Sequence, residues 1–175
     1  MRVPFVLANL TTFHSYDEAV EVLYSETFFR LRGISITNRF FSQAPLRCLE
    51  LVRSIKLVWD DSGWLNSNMG RPQIRAAWPR LCRSLTRMRG LQNLYIGLSM
   101  DTGDADLEAY YVRELLDLDV PNFKLCIPVG LLCSHYGLAE ERAYPDAPFE
   151  LCRHVAGEVC SWRKEVLEAE CGDWY

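Results

Sequence analysis

Apolar residues along the chain follow two alternating periods. In the stretch from Val52 to Trp59 they stand at Val52, Ile55, Leu57 and Trp59, and the same offsets of 0, 3, 5 and 7 return at Leu91, Leu94, Ile96 and Leu98 and again at Val120, Phe123, Leu125 and Ile127. The last three positions of each copy alternate as in a strand with one buried face. Three equivalent strands, over 52–59, 91–98 and 120–127, are therefore predicted.

Between these copies the period is helical. Tyr16, Ala19, Val20 and Leu23 form one face of a helix over 16–25, and Ser15 stands three residues before Glu18 as a capping box requires. Phe29 and Leu31 then alternate with arginines in a short strand closed by Gly33. Helical spacing from Ile36 to Leu51 is divided by Pro45, which lacks a backbone donor. Trp78, Leu81, Cys82, Leu85 and Met88 predict a helix over 76–89, with Pro79 in its first turn and Gly90 in the left-handed position beyond its end. After a loop over 101–106, Leu107, Tyr110, Tyr111, Leu115 and Leu118 make another buried helix face. Phe149, Cys152, Val155, Val159, Trp162 and Val166 predict a long C-terminal helix over 148–172. Residues 60–72 and 131–147 read as loops.

A strand led in by a helix cannot bury its own apolar face, so such units stack on one another. The expected fold class is α/β: a short, irregular leucine-rich-repeat-like stack of helix–strand units with a mainly parallel sheet, within one domain over 1–175 whose repeat-like core spans 12–130. Irregularity is expected because the leucine-rich consensus asks for Asn or Cys at offset 8, where this chain has Asp60, Ser99 and Pro128. The side-chain ladder that position supplies is missing.

Composition narrows the function classes. With 49% hydrophobic and 24% charged residues the chain is an ordinary globular sequence. A net charge of −4 argues against coating nucleic acid through bulk charge. Seven scattered cysteines fit no disulfide framework and are read as reduced. The apolar start before Leu10 is a poor secretory signal, which leaves the sequon at Asn9 unused, and no run is long enough to span a bilayer. A cytoplasmic or nuclear location is expected.

Three stretches together resemble a known family: 17–28, from Asp17 to Phe28; 52–59; and the Trp78-led helix running into Met88 to Ile96. They are similar to an uncharacterised domain family of filamentous fungi, in which a helix of the type Cys-Arg-x-x-Tyr-x-Glu-Ala leads to Leu-Tyr-Ser-x-Asn-x-Phe. Here Thr12 and Phe13 replace the Cys-Arg pair. The resemblance covers roughly 12–130 and mainly core positions, so it implies a fold and no catalytic residues. Some relatives look similar to F-box and leucine-rich-repeat adaptors, which implies ubiquitin-ligase components as partners by analogy of fold.

The feature closest to a site is charge segregation. Residues 71–89 hold six arginines and no acid, with Arg80, Arg83 and Arg87 on one helix face, whereas 101–119 hold seven acids and only Arg113. One reading is structural: the two helix faces neighbour and pair. The other is functional, with the 71–89 face taking phosphates or an acidic protein segment through guanidinium forks. The candidate interaction surface is Arg75, Arg80, Arg83, Arg87 and Trp64, the tryptophan because it lies in a polar loop.

Other chemistry reads weaker. Cys133 with His135 and Cys152 with His154 lack paired-ligand spacing, so no metal site is expected. His14, Ser15 and Asp17 cluster, but Ser15 serves as a helix cap, and no glycine-rich phosphate cradle exists. No cofactor and no catalytic residue is expected. The expected role is a non-enzymatic protein-interaction or scaffold domain; the alternatives are an anion- or nucleic-acid-binding domain and an enzyme of unknown type.

Overall fold

The structure is a computed structural model describing residues 16–61, 71–100, 105–129 and 144–155. In chain order its elements are α1 (Tyr16–Glu26), β1 (Phe28–Arg32), α2 (Ile34–Gln43), α3 (Leu46–Leu51), β2 (Ser54–Asp60), α4 (Arg71–Thr86), β3 (Asn93–Ser99), α5 (Ala105–Arg113), β4 (Asn122–Val129) and β5 (Glu150–Val155). The strands form one five-stranded sheet in sequence order, and every pairing is parallel. The α/β class follows from this sheet.

The repeated spacing becomes rows across the sheet. Phe29, Ile55, Leu94 and Phe123 stand in register, as do Leu31, Leu57, Ile96, Leu125 and Leu151. These rows share one core with Ile34 of α2, Leu49 of α3, Trp78 and Leu85 of α4, and Tyr111 of α5. Helices α2 to α5 thus cover the same sheet face. That is the consequence of adding each parallel strand on the same side of the last, since crossovers of one hand then fall on one face.

Position 0 of the repeat has a different job from the one its spacing suggests. Each strand starts two residues later than expected, at Ser54, Asn93 and Asn122, leaving Val52, Leu91 and Val120 before it. All three are buried. They plug the corner where the chain turns from the helix layer into the sheet. Backbone bonds across these corners, from Gln92 and Asn93 N to Arg53 O and from Asn122 N to Gln92 O, each at 2.9 Å, hold them in line.

The opposite sheet face is mixed, with a small apolar cluster of Tyr95, Cys126 and Cys152 among polar positions. One of its rows reads Arg30, Lys56, Tyr95, Lys124 and Glu150, closed by an ion pair of 3.1 Å between Lys124 and Glu150. Another carries a ladder: Asn93 Nδ2 donates to Ser54 Oγ and Asn122 Nδ2 to Asn93 Oδ1, both at 3.0 Å. A side-chain ladder therefore exists at the start of the strands, at offset 2, and not at the offset 8 of the leucine-rich consensus.

Several expectations are corrected. Residues 150–155 are strand, not the beginning of a helix over 148–172; the rest of that expected helix lies outside the described residues. The strand was hidden because Arg153 takes an inward position, opposite Ile127, which breaks the apolar alternation. Helix α4 begins at Arg71, ahead of the expected residue 76, which puts Pro79 inside it. Proline cannot donate to the Arg75 carbonyl four residues back. The Tyr110 hydroxyl donates to that carbonyl instead, at 2.9 Å.

Gly90 does not take the left-handed conformation expected of it; among the described glycines only Gly33 does, at φ 83°. Gly90 is required for space: a Cβ there would run into the Glu50 carbonyl and the Arg53 guanidinium, whose Nη1 donates to Gly90 O at 2.9 Å. The α1 face is also shifted. Leu23 is exposed, and Tyr24 makes the contact instead, its ring 5.5 Å from Phe29. Pro45 divides α2 from α3 as its missing donor predicts.

Candidate functional site

The arginine-rich segment folds as α4 because Ile74, Trp78, Leu81, Cys82 and Leu85 give it a buried face. Its arginines then meet two different fates. Arg75 is half-buried, and its Nε donates to Asp61 Oδ2 at 3.1 Å. It braces the end of β2 and is the one arginine of the candidate surface with a carboxylate partner among the described residues. Arg80, Arg83 and Arg87 are exposed, and among the described residues none of their guanidinium groups has an ion-pair or hydrogen-bond partner. Trp64, the fifth candidate, lies outside the described residues.

Among the described residues no carboxylate of 105–119 pairs with these three arginines, which stand as a solvated face. Two acids of the 105–119 segment are engaged elsewhere. Glu108 binds Arg153 of β5 through both oxygens, at 2.6 and 3.1 Å, and accepts the Tyr144 hydroxyl at 3.0 Å. Glu114 pairs with its neighbour Arg113 at 3.1 Å. It also lies near the buried Cys82 thiol, which burial first and this carboxylate second push up to about 12. Cys82 is no nucleophile at neutral pH, because its thiolate is almost absent there.

Inside the Arg75 brace is a buried polar cluster. The Asp61 carboxylate follows the end of β2, and the Tyr111 hydroxyl reaches it from α5 beside the Trp59 indole N–H. Burial, then the Asp61 charge, raise the Tyr111 hydroxyl well above its ordinary value. Trp59 and Trp78 rings lie 5.0 Å apart, Trp78 and Tyr111 rings 5.1 Å, and Trp78 Nε1 donates to Tyr111 O at 3.0 Å. The cluster offers a neutral phenol and a carboxylate already held by a guanidinium. Two bonds tie β2, α4 and α5 together here, Arg75 Nε to Asp61 Oδ2 and Trp78 Nε1 to Tyr111 O, whereas Trp59 Nε1, Asp61 Oδ1 and the Tyr111 hydroxyl are buried without a hydrogen-bond partner among the described residues.

Beside the exposed arginines runs a groove of about 240 Å³ between the α2–α3 corner and the end of α4. Phe41, Ala44, Leu46, Leu49 and Met88 line it, with Arg87 at its edge. Sequence reasoning missed it. Its walls come from positions some forty residues apart, and the only signal was apolar Leu46 in the first turn after Pro45.

The cysteine–histidine pairs do not assemble on the described chain. Cys133 and His135 lie outside it, and Cys152, read as reduced, is disulfide-bonded, whereas Cys48 and Cys82 are free thiols. Among the described residues no group of three or more His, Cys, Asp or Glu side chains has metal-holding geometry, and no helix is long and apolar enough to cross a membrane. His14, Ser15 and the sequon at Asn9 also lie outside the described residues.

Fold and surface together define an α/β protein with a parallel sheet, helices layered on one face, and a cationic groove on the helix side. The chain belongs to the family described as a domain of unknown function, DUF7730, whose model matches residues 5–117. That match takes in α1 to α5 and β1 to β3 and stops before β4. Comparison with curated proteins finds no match, and neither does comparison with solved structures.

Proposed function

We propose that this domain is a non-enzymatic protein-interaction module acting inside the cell, built as a short leucine-rich-repeat-like stack. Strands added in sequence order with helices on one side are what such a stack requires, and stacks of this kind present extended binding surfaces. The observation that carries the reading is the row of Arg80, Arg83 and Arg87, exposed and without a carboxylate partner among the described residues. An unpartnered guanidinium row in a chain of net charge −4 is a local reversal of sign, which favours an acidic partner. By analogy with adaptor proteins of similar build, ubiquitin-ligase components are the partners to seek first.

Affinity capture from nuclease-treated native extract tests this, comparing the wild-type domain with one carrying Arg80→Ala, Arg83→Ala and Arg87→Ala. The expected result is a discrete set of proteins lost from the variant. Equal recovery by both forms would exclude this surface. The same arginines also support a second reading, an anion- or nucleic-acid-binding domain. Recovery of nucleic acid alone from untreated extract, again lost in the variant, would establish it.

A further inference from the structure

We infer that the groove at the α2–α3 corner is the docking site for a linear protein segment that presents one bulky apolar side chain next to carboxylates. The inference rests on the interaction-module reading and assigns the partner's chemistry. The corner forms because Pro45 ends α2 and caps α3 with no side-chain hydrogen bond, bringing Ala44 and Leu46 to the surface. A short connection between helices is normally polar. Here Leu46 is 58% exposed, with Phe41, Leu49 and Met88 behind it.

Volume and charge select the occupant. At about 240 Å³ the groove is smaller than the roughly 300–1,000 Å³ typical of small-molecule sites and suits one or two inserted side chains. Ser84, the remaining polar wall, already donates its hydroxyl to Arg80 O at 3.0 Å. What the walls offer a ligand is therefore apolar contact and the Arg87 guanidinium at the rim. Arg83 and Arg80 continue that charge along α4 by their spacing of three and four residues. An apolar anchor seated on Leu46 and Met88, with carboxylates on the arginines, satisfies both features at once. A nucleic-acid strand satisfies only the charge.

A phage-displayed library of random peptides, selected on the whole chain, provides the test. The expected winners pair Leu, Ile, Met or Phe with Asp or Glu. Their binding should fall at least about tenfold on Leu46→Asp and likewise on Arg87→Glu, about 1.4 kcal/mol each. Leu46 is exposed enough for Leu46→Asp to fold, and an unchanged thermal unfolding curve confirms that it has. Binding insensitive to Leu46→Asp but abolished by charge reversal at Arg80, Arg83 and Arg87 overturns the groove while leaving the interaction module standing. No enrichment of acidic–apolar peptides overturns the inference, and a salt-sensitive complex with a single-stranded oligonucleotide in their place turns both readings toward nucleic acid.

Discussion

Strands β2, β3 and β4 bring an apolar residue to each inward position of the repeat, whereas the two edges of the sheet manage only two each. On one side the inward series is Phe29, Leu31 and then Gly33; on the other it is Phe149, Leu151 and then Arg153. On its inward face the centre is held chiefly by dispersion and burial. Each edge has replaced its third apolar residue by a device that needs hydrogen bonds. Gly33 donates to Val58 O at 3.2 Å, turns at φ 83°, and accepts both the Thr37 amide and its buried hydroxyl at the start of α2. Arg153 enters the core side of β5 only because Glu108 grips it from α5. An edge strand has one neighbour to share its burial, so a specific tether supplies what packing cannot.

That contrast is broken most severely at the centre. Ile96, fully buried between Leu57 and Leu125, is expected to cost about 2–5 kcal/mol when cut to Ala. Leu151, half-buried in the same row on the edge, should cost about 1 kcal/mol for the same change. Urea denaturation of the two variants checks the ranking. Equal losses would mean that the edge strand is packed like the centre.

Next comes the tether. Glu108→Ala leaves the Arg153 guanidinium, whose side chain is only 17% exposed, without its carboxylate; about 2–3 kcal/mol is expected, somewhat below the ~3–5 of a fully buried broken pair. The companion variant sharpens the point. Arg153→Leu together with Glu108→Leu should recover most of that loss, because an apolar pair completes the row that Trp59, Leu98 and Ile127 begin. If the double variant stays as unstable as Glu108→Ala, the tether contributes more than a satisfied charge.

A third variant concerns the helix layer over the centre. Tyr110→Phe removes the donor that replaces the amide missing at Pro79, at a cost of about 1 kcal/mol. In a background carrying Pro79→Ala, which restores the amide, the same substitution should cost almost nothing. A double-mutant cycle by thermal unfolding measures this coupling; strictly additive losses would show that the hydroxyl does not act for the amide.

The same contrast sets how much of the molecule was legible in its sequence. Central strands were readable because every inward position is apolar, which is the only signal that a period-two pattern carries. β5 was misread as helix because Arg153 interrupts its alternation while Phe149, Cys152 and Val155 happen to stand three apart. What permits the arginine is Glu108, forty-five residues earlier, and no local pattern announces that partnership. The polar ladder, by contrast, was visible: Ser54, Asn93 and Asn122 all stand two residues after the first apolar residue of their copies. The leucine-rich consensus does not predict it, because that consensus places its ladder six residues further on, at offset 8. Of the site, the exposure of Arg80 and Arg83 on α4 follows from helical spacing, Arg87 falls one residue past the helix end, and the pairing of Arg75 depends on Asp61, fourteen residues away across 62–70. The groove belongs to the tertiary packing of α2 on α4, which hydropathy does not encode.

The smallest effect is silent at neutral pH. Cys82, buried under the helix layer of the centre, has a thiol pushed up to about 12, so the native state holds its proton more tightly than the unfolded chain, where the value is roughly 8.5. Proton binding that favours the native state stabilises it fully below the unfolded value and is lost as pH rises toward the folded one. Stability should therefore be flat between pH 7 and 8 and fall between about 9 and 12. Tyr110 and Tyr111, raised by burial in the same layer, add to the fall above their own ordinary range. Cys82→Ala should flatten the slope by up to about 1.4 kcal/mol per pH unit in the lower part of that window, where the tyrosines do not yet titrate. Chemical denaturation at stepped pH reads this directly. A slope that Cys82→Ala leaves unchanged would mean that the thiol is hydrated in solution and that the packing of α4 against the central strands is looser than the side-chain burial implies.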